Sequence, residues 1–583
     1  MSEPETVVSL RERLTRDAAM TPISRRATLR LGGGALAALA LPGCAGPGPP
    51  YPVTPVTDVL LDAHSHLFNG QDLPVTKFIT QVVLGGTSGG RCELPATAGK
   101  RQNIEDPTLF ERLVELMVDW LLQGTPTAAV ERDRLQRDRI TTVTSETARV
   151  TRVTRKKLAA FLDTPAIGAL RDTDTRLRQA LLDEVRTSAR NGNLTPRSAR
   201  QAAADILRSS GRFGTFLRWI GLFFRSRQSL AQELVTASRS WGREPLMLVP
   251  LMVDYAHWLG ETTRDCSSFY DQIEVWGALS RRSPIPVHGM VPFDPLRSVF
   301  WTTGRHTRFP ETTEFDPLDL AERALGDHGF LGLKLYPPMG FSATGNLAAD
   351  SAYRPEIIRA LGLPQNRLGA ELDRAMARAF DFCVQRDAPM IAHANNSVAS
   401  GSGYGRRAEP RYWIDALRRW PTLRLCLAHG GGFCWRQTGA ASGVAEDRAS
   451  WEWAIGAYVR GAPASHLYMD ISYFSDVMGQ KDRLDWISRQ LRDWIATCDP
   501  EARHLVFGTD WVMLGREPGY ERYGLTVQAF LTDRIGLSAD QLDRVMWGNA
   551  MRFLGLDQGA RSRERLLAFY GNRRPAWTRR TPP

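Results

Sequence analysis

The chain has 583 residues, 43% of them hydrophobic, with 16 tryptophans and a formal net charge of +11. That much apolar material excludes disorder as the overall state, and the length exceeds one small domain while allowing a single barrel with insertions. The basic balance raises nucleic acid as a partner, but no recognised nucleic-acid module occurs, so none is expected.

In chain order, the first feature is "SRRATLRLGGGALAALALPGCAGPGPP", with Arg25 and Arg26 ahead of an apolar run from Leu29 to Leu41 and then "LPGC". The run is short for a membrane-spanning helix, and Gly32 to Gly34 weaken it further. The sequence resembles a twin-arginine export signal ending in a lipobox, although Ala27 and Thr28 stand where the fullest motif has a bulky apolar residue. The resemblance implies that residues 1–43 are removed, that Cys44 is lipidated, and that the protein is exported to the periplasm or cell envelope. Residues 44–57, rich in proline and glycine, read as a flexible tether. The other six cysteines show no CxxC spacing, and Cys383 and Cys426, set in apolar runs, are expected to be buried thiols.

Residues 58–67, "DVLLDAHSHL", form the first predicted strand. Alternation places His64 and His66 on one face with Ser65 opposite, which suits a transition metal or, more plainly, an ordinary strand–loop junction. From 68 to 244 the chain carries amphipathic segments at helical spacing, among them "DPTLFERLVELMVDWLLQG" and "GRFGTFLRWIGLFFRSR", and a mostly helical cap is expected. Residues 151–244 hold 18 Lys and Arg against 8 Asp and Glu, so the basic surplus is local. It suits a solvated face, an acidic substrate, or a phospholipid surface beside the lipid anchor.

Seven more short apolar runs follow, at 245–255, 285–293, 329–337, 388–396, 423–432, 467–474 and 504–513. Helical patterns such as "LGAELDRAMARAFDFCVQRD" and "LDWISRQLRDWIATC" separate the later ones. Eight buried strands alternating with helices predict an α/β fold. The expected architecture is a (β/α)8 TIM barrel over 58–67 and 245–560, with the large helical insertion 68–244 between strands 1 and 2 and a basic tail at 561–583. Polar residues then fall at strand ends, where barrel chemistry gathers: His64 and His66 on strand 1, Lys334 on strand 4, His393 on strand 5, His429 on strand 6 and Asp510 on strand 8. Their common placement favours the metal reading of the opening histidine pair.

The HxH of strand 1, the histidine of strand 5, "AHGGG" on strand 6, "FGTDW" on strand 8 and the trailing "WGNAMRFLGL" resemble the amidohydrolase superfamily. The nearest likeness is to its amidohydrolase-related group of metal-dependent hydrolases and aminocarboxymuconate semialdehyde decarboxylase-like enzymes. The resemblance spans residues 58–68 and 245–556 and leaves the insertion unexplained. It implies one divalent ion, zinc with manganese or iron as alternatives, held by His64, His66, His393 and Asp510, and a catalytic role for Asp510 and His429. Lys334 has the position of a carboxylated lysine bridging two ions in some members and of a mere neighbour in others; one ion is expected. Arg297, Tyr336 and Tyr473 are candidate substrate contacts, with Arg297 suited to a small-molecule carboxylate. The implied reaction is hydrolysis of an amide, lactone or ester, with decarboxylation as the alternative and a non-catalytic metal-binding lipoprotein as a third class. The "GGG" after His429 is expected to leave space for a ligand.

Overall fold

Short apolar runs bounded by turn-forming residues become eight strands. They are β1 (Asp58–Ser65), β2 (Arg243–Pro250), β3 (Met290–Pro292), β4 (Gly332–Leu335), β5 (Met390–His393), β6 (Leu425–Ala428), β7 (Leu467–Asp470) and β8 (Leu505–Val506). All pairings are parallel, and almost every strand residue is buried. This explains why the strands read as continuous hydrophobic runs rather than alternating ones. The computed structural model describes residues 58–79, 82, 118, 122, 125–137, 219, 221–260, 267–308, 314–348, 353–396, 399–401, 403–432, 450–479 and 481–583. The export signal, Cys44, the tether and most of 83–218 lie outside the described residues.

Ladders run β1–β2 and then β3 through β8 in sequence order, the order expected of an eight-stranded α/β fold. They are not continuous at two seams. Isolated bridges pair Leu248 with Val287 and Leu251 with Met290 at the first. At the second, Ala63 N donates to the Phe507 carbonyl at 3.2 Å, and Thr509 N and Asp510 N donate to the His64 carbonyl at 3.0 and 2.7 Å. The second seam thus draws the end of β1 to the segment leaving β8.

The strands are shorter than the apolar runs suggest. The run at 504–513 pairs only over Leu505–Val506 and turns into one helical turn at Trp511–Leu514. The helices between strands behave as their patterns dictate. Gln365–Arg386 buries Leu368, Leu372, Ala375, Met376, Ala379, Phe380 and Cys383 along one face, and Lys481–Cys498 buries Ile487, Leu491, Trp494 and Ile495. Side-chain caps open several of them: Ser268 accepts from Asp271 N, and Asp294 from Leu296 N and Arg297 N.

Described parts of the 68–244 stretch include two helices, α1 (Ala128–Arg137) and α2 (Arg227–Ser240). Phe223 and Phe224 are buried, and the Phe223 ring lies 5.8 Å from that of Phe68. The residues expected to form a basic tail instead include a helix, Arg561–Tyr570, that buries Leu566 and Tyr570, while Trp577 beyond it is fully buried. The arginines of this segment are spent on carbonyls: Arg565 donates to Leu331 O and Arg573 to Ser280 O, both at 3.1 Å. Among the described residues no helix is long and apolar enough to cross a membrane.

Candidate metal centre

The end of β1 and the β8 seam place His64, His66 and Asp510 together, all buried, with one ligand atom of each within 4.8 Å of the others. Hydrogen bonds on the far side of each imidazole fix what it presents. His66 Nδ1 lies 2.9 Å from the Leu251 carbonyl, which only accepts, so the proton sits on Nδ1 and Nε2 is a bare lone pair. His64 Nδ1 donates to Asp470 Oδ2 at 2.8 Å, with the same result. Both Nε2 atoms face Asp510 Oδ1, at 3.5 Å from His64 and 3.3 Å from His66. His64 Nε2 and Asp510 Oδ1 are buried without a hydrogen-bond partner. Two bare imidazole nitrogens converging with a carboxylate oxygen fit a divalent cation, and the outer contacts are of the kind that orient metal-binding imidazoles.

Electrostatics agree with that fit. Burial brings the His64 imidazole down to about 3, helped by the Lys334 charge, and burial with the His64 charge holds His66 well below its ordinary value. Neutral imidazole is the form that ligates a metal. Burial pushes the Asp510 carboxyl up to about 7, Lys334 opposing and Asp470 adding to the rise. A bound cation reverses the logic for such a carboxylate. Asp510 also has a left-handed backbone, φ 58°, as do His429 at 63° and Tyr473 at 49°. Non-glycine residues with this backbone are strained by about 1–3 kcal/mol each, and three of them follow β6, β7 and β8 around one site.

His393 and His429 stand beside the three converging residues. His393 Nδ1 lies 3.1 Å from His429 Nε2, and the His429 ring centroid is 5.1 Å from that of His64. Tyr336 packs on His393 with centroids 4.3 Å apart. Lys334 is buried at the end of β4 and its Nζ has no hydrogen-bond partner; burial brings its ammonium down to about 8. It lines a cleft with Asp254, Asp294, Tyr336, Phe293 and Phe341.

Two candidate substrate contacts are already engaged within the chain. Arg297 donates through Nε to Asp254 Oδ2 at 2.6 Å and through Nη1 to Glu314 Oε1 at 3.2 Å, and its side chain is 2% exposed. Its charge is thereby matched by two carboxylates, as burial of a guanidinium requires. The Tyr473 hydroxyl donates to Glu517 Oε1 at 2.7 Å. The glycines after His429 do not open space. A Cβ on Gly431 would meet Glu452 N at 2.6 Å, and one on Gly432 would meet Asn395 Oδ1 at 2.6 Å, so this turn is glycine-rich because other backbone and side chains press against it.

Sequence reasoning passed over Asp470, Ser472, Asp62 and Thr509. Asp470 closes β7, and its Oδ1 accepts from His429 N at 2.9 Å and Ser472 N at 3.0 Å. Burial raises its carboxyl, yet the charge and hydrogen bond of His64, then His429 and Ser472, hold it far below the usual carboxylate range. Asp62 accepts from Thr509 Oγ1 at 2.6 Å and Thr509 N at 3.1 Å, tying β1 to the β8 turn. The available signal was position: Asp470 ends its strand as the recognised polar residues end theirs.

The fold and site together define a parallel α/β protein with a two-histidine, one-carboxylate centre for a divalent metal. Residues 300–556 match the family described as Amidohydrolase. No curated protein matches the chain in sequence. Similar solved structures include a TIM-barrel protein from Bordetella bronchiseptica, 14% identical, covering 64% of this chain and 90% of its own, TM-score 0.31. A 5-carboxyvanillate decarboxylase from Sphingomonas paucimobilis is 14% identical, covering 64% and 95%, TM-score 0.32. A 2,6-dihydroxybenzoate decarboxylase from Rhizobium is 13% identical, covering 55% and 87%, TM-score 0.32.

Proposed function

We propose that the chain is a divalent-metal-dependent enzyme acting on a small-molecule carboxylate, releasing carbon dioxide from an unsaturated or aromatic acid in preference to hydrolysing an amide, lactone or ester. The observation that carries the metal dependence is the convergence of His64 Nε2, His66 Nε2 and Asp510 Oδ1, both imidazole nitrogens being bare. The reading takes the eight strands as one (β/α)8 barrel, with zinc as the ion and His393 as its fourth protein ligand. When bound, the ion supplies Lewis acidity toward an oxygen of the substrate.

This chain's own residues supply the rest. The Lys334 ammonium, buried and without a protein partner, offers a charge for a substrate carboxylate, the role that Arg297 gives up to Asp254 and Glu314. Phe293, Phe341 and Tyr336 line the same cleft, as do Asp254 and Asp294, and aromatic side chains there suit an unsaturated acid. Hydrolysis stays as a second reading on one observation: the Asp510 carboxylate stands beside both Nε2 atoms, where a carboxylate at a metal site can accept a proton from an attacking water.

Chelator-treated protein, reloaded with zinc or manganese, is assayed against aromatic and unsaturated carboxylic acids for carbon dioxide and against lactones, esters and amides for hydrolysis. Carbon dioxide release that requires metal and vanishes in Asp510→Asn supports the proposal. Metal-dependent hydrolysis without carbon dioxide supports the second reading, and no metal uptake by the wild-type chain removes both. From residues 25–44 alone we also propose twin-arginine export and lipid attachment at Cys44; intact mass of membrane-recovered protein tests it, and an unprocessed Met1 terminus would defeat it.

A further inference from the structure

Beyond the metal ligands, one hydroxyl and one carboxylate at the end of β7 touch both inner histidines. Ser472 Oγ lies 2.5 Å from Asp470 Oδ1, 3.0 Å from His64 Nδ1 and 3.0 Å from His429 Nδ1. A serine hydroxyl has one proton and two lone pairs. The ionised Asp470 carboxylate can only accept, so the Ser472 proton goes to Asp470 Oδ1. Both lone pairs of Ser472 are then left facing the two imidazoles, and each must bring its own proton. His64 Nδ1 already donates to Asp470 Oδ2 at 2.8 Å, and His429 Nδ1 has the Ser472 carbonyl at 3.1 Å as a further acceptor. Every neighbour of these two Nδ1 atoms is therefore an acceptor, and both rings carry the proton on Nδ1.

We propose that Asp470 and Ser472 act as one positioning unit that locks His64 and His429 as Nδ1-protonated imidazoles. His429 Nε2, bare in this tautomer, faces His393 Nδ1 at 3.1 Å. One strand end thus sets two imidazoles: His64 directly, and His429 through the hydroxyl and the backbone N–H that Asp470 also holds at 2.9 Å. In the resting site His429 is a proton acceptor through Nε2, not a donor. Asp470 touches neither substrate nor ion in this arrangement and acts only through the histidines.

The inference rests on the divalent-metal reading, and its test keeps the two apart. The full chain, labelled with nitrogen-15 histidine, has only ten histidines to resolve. Long-range proton–nitrogen correlations on the metal-free chain, assigned by the signals lost in His64→Gln and His429→Gln, are expected to show both rings protonated at Nδ1. Either ring in the Nε2-protonated form overturns the proposal. Cobalt(II) titration of Asp470→Asn is expected to show affinity about 10–100-fold weaker than wild type. Affinity within threefold of wild type in a folded variant also overturns it; if Asp470→Asn does not fold, the wild-type tautomers decide alone. A wild-type chain that takes up no cobalt defeats the metal reading, while the tautomers still judge the lock.

Discussion

Gly508 sits where any side chain would collide with the metal centre. A Cβ there would lie 2.7 Å from His64 Cβ and 3.0 Å from Ser472 Cβ, so only glycine lets the β8 turn come this close to β1 and β7. Gly508→Ala is expected to cost about 1–3 kcal/mol of stability by overpacking and to weaken cobalt binding, because His64 must move. Urea unfolding and cobalt titration check the two effects; unchanged affinity in a destabilised variant would mean that the metal geometry does not depend on this approach. At this scale the sequence exposes only part of the site. His64, His66 and Asp510 are legible because paired histidines and a strand-end aspartate stand out from apolar runs. Asp470 and Ser472 are not, because their role exists only once residues 64 and 470, far apart in the chain, lie 2.8 Å apart. Arg297, a candidate for substrate contact, shows a related limit: a lone arginine near a strand end says nothing of the two carboxylates that neutralise it.

Elements were more readable than their ends. Seven of the eight strands lie inside the apolar runs and β2 starts two residues ahead of its run, at Arg243, since burial on both faces of a parallel sheet demands continuous hydrophobicity. Lengths were overestimated because the runs continue into buried turns, as at Phe507 and Trp511, where the same residues leave the ladder. In the segment 561–583, expected only as a basic tail, Tyr570 and Trp577 are buried. The Tyr570 hydroxyl donates to His288 Nε2 at 2.7 Å, and His288 Nδ1 donates to the Gly329 carbonyl at 2.6 Å, so this buried imidazole is fully used as the neutral form. Burial brings His288 down to about 4. Between pH 6.5 and 4 the unfolded chain therefore binds a proton that the folded chain refuses. The stability owed to His288 is complete above about 6.5 and is lost as pH falls through that window. The destabilisation caused by His288→Gln, measured by urea unfolding, is expected to shrink by on the order of 3 kcal/mol between pH 7 and pH 4. A difference that stays constant over that range would show that His288 takes up its proton in the folded protein as readily as in the unfolded one.

The molecule as a whole has to hold the stretch after His66 against the strands, and a buried ion cluster does part of that. Arg227, at the start of α2, is fully buried; it donates from Nη1 to Glu131 Oε1 of α1 at 2.9 Å and pairs through Nη2 with Asp72. Asn69 joins the group by donating from Nδ2 to Glu131 Oε1 at 3.3 Å, only three residues beyond His66. Apolar contact continues inward from there, Phe223 on Phe68 and Phe68 on His66 with centroids 5.4 Å apart. The sequence showed the apolar half of this attachment, since bulky residues at helical spacing in 211–227 favour inward packing over a lipid surface, and the burial of Phe223 and Phe224 agrees with packing for that part. It hid the ionic half, because Asp72, Glu131 and Arg227 belong to three separate stretches of an arginine-rich segment. Replacing Arg227 by Met takes away the cation that the buried Asp72 and Glu131 carboxylates share, which is expected to cost about 3–5 kcal/mol. Removing all three charges, as Asp72→Asn, Glu131→Gln and Arg227→Met together, is expected to cost less than the single change, since desolvated charge is then absent altogether. Urea unfolding of the full chain compares the two. A single variant as stable as wild type would mean that apolar packing alone holds this stretch, and a triple variant less stable than the single would mean that each group is held by contacts outside the cluster.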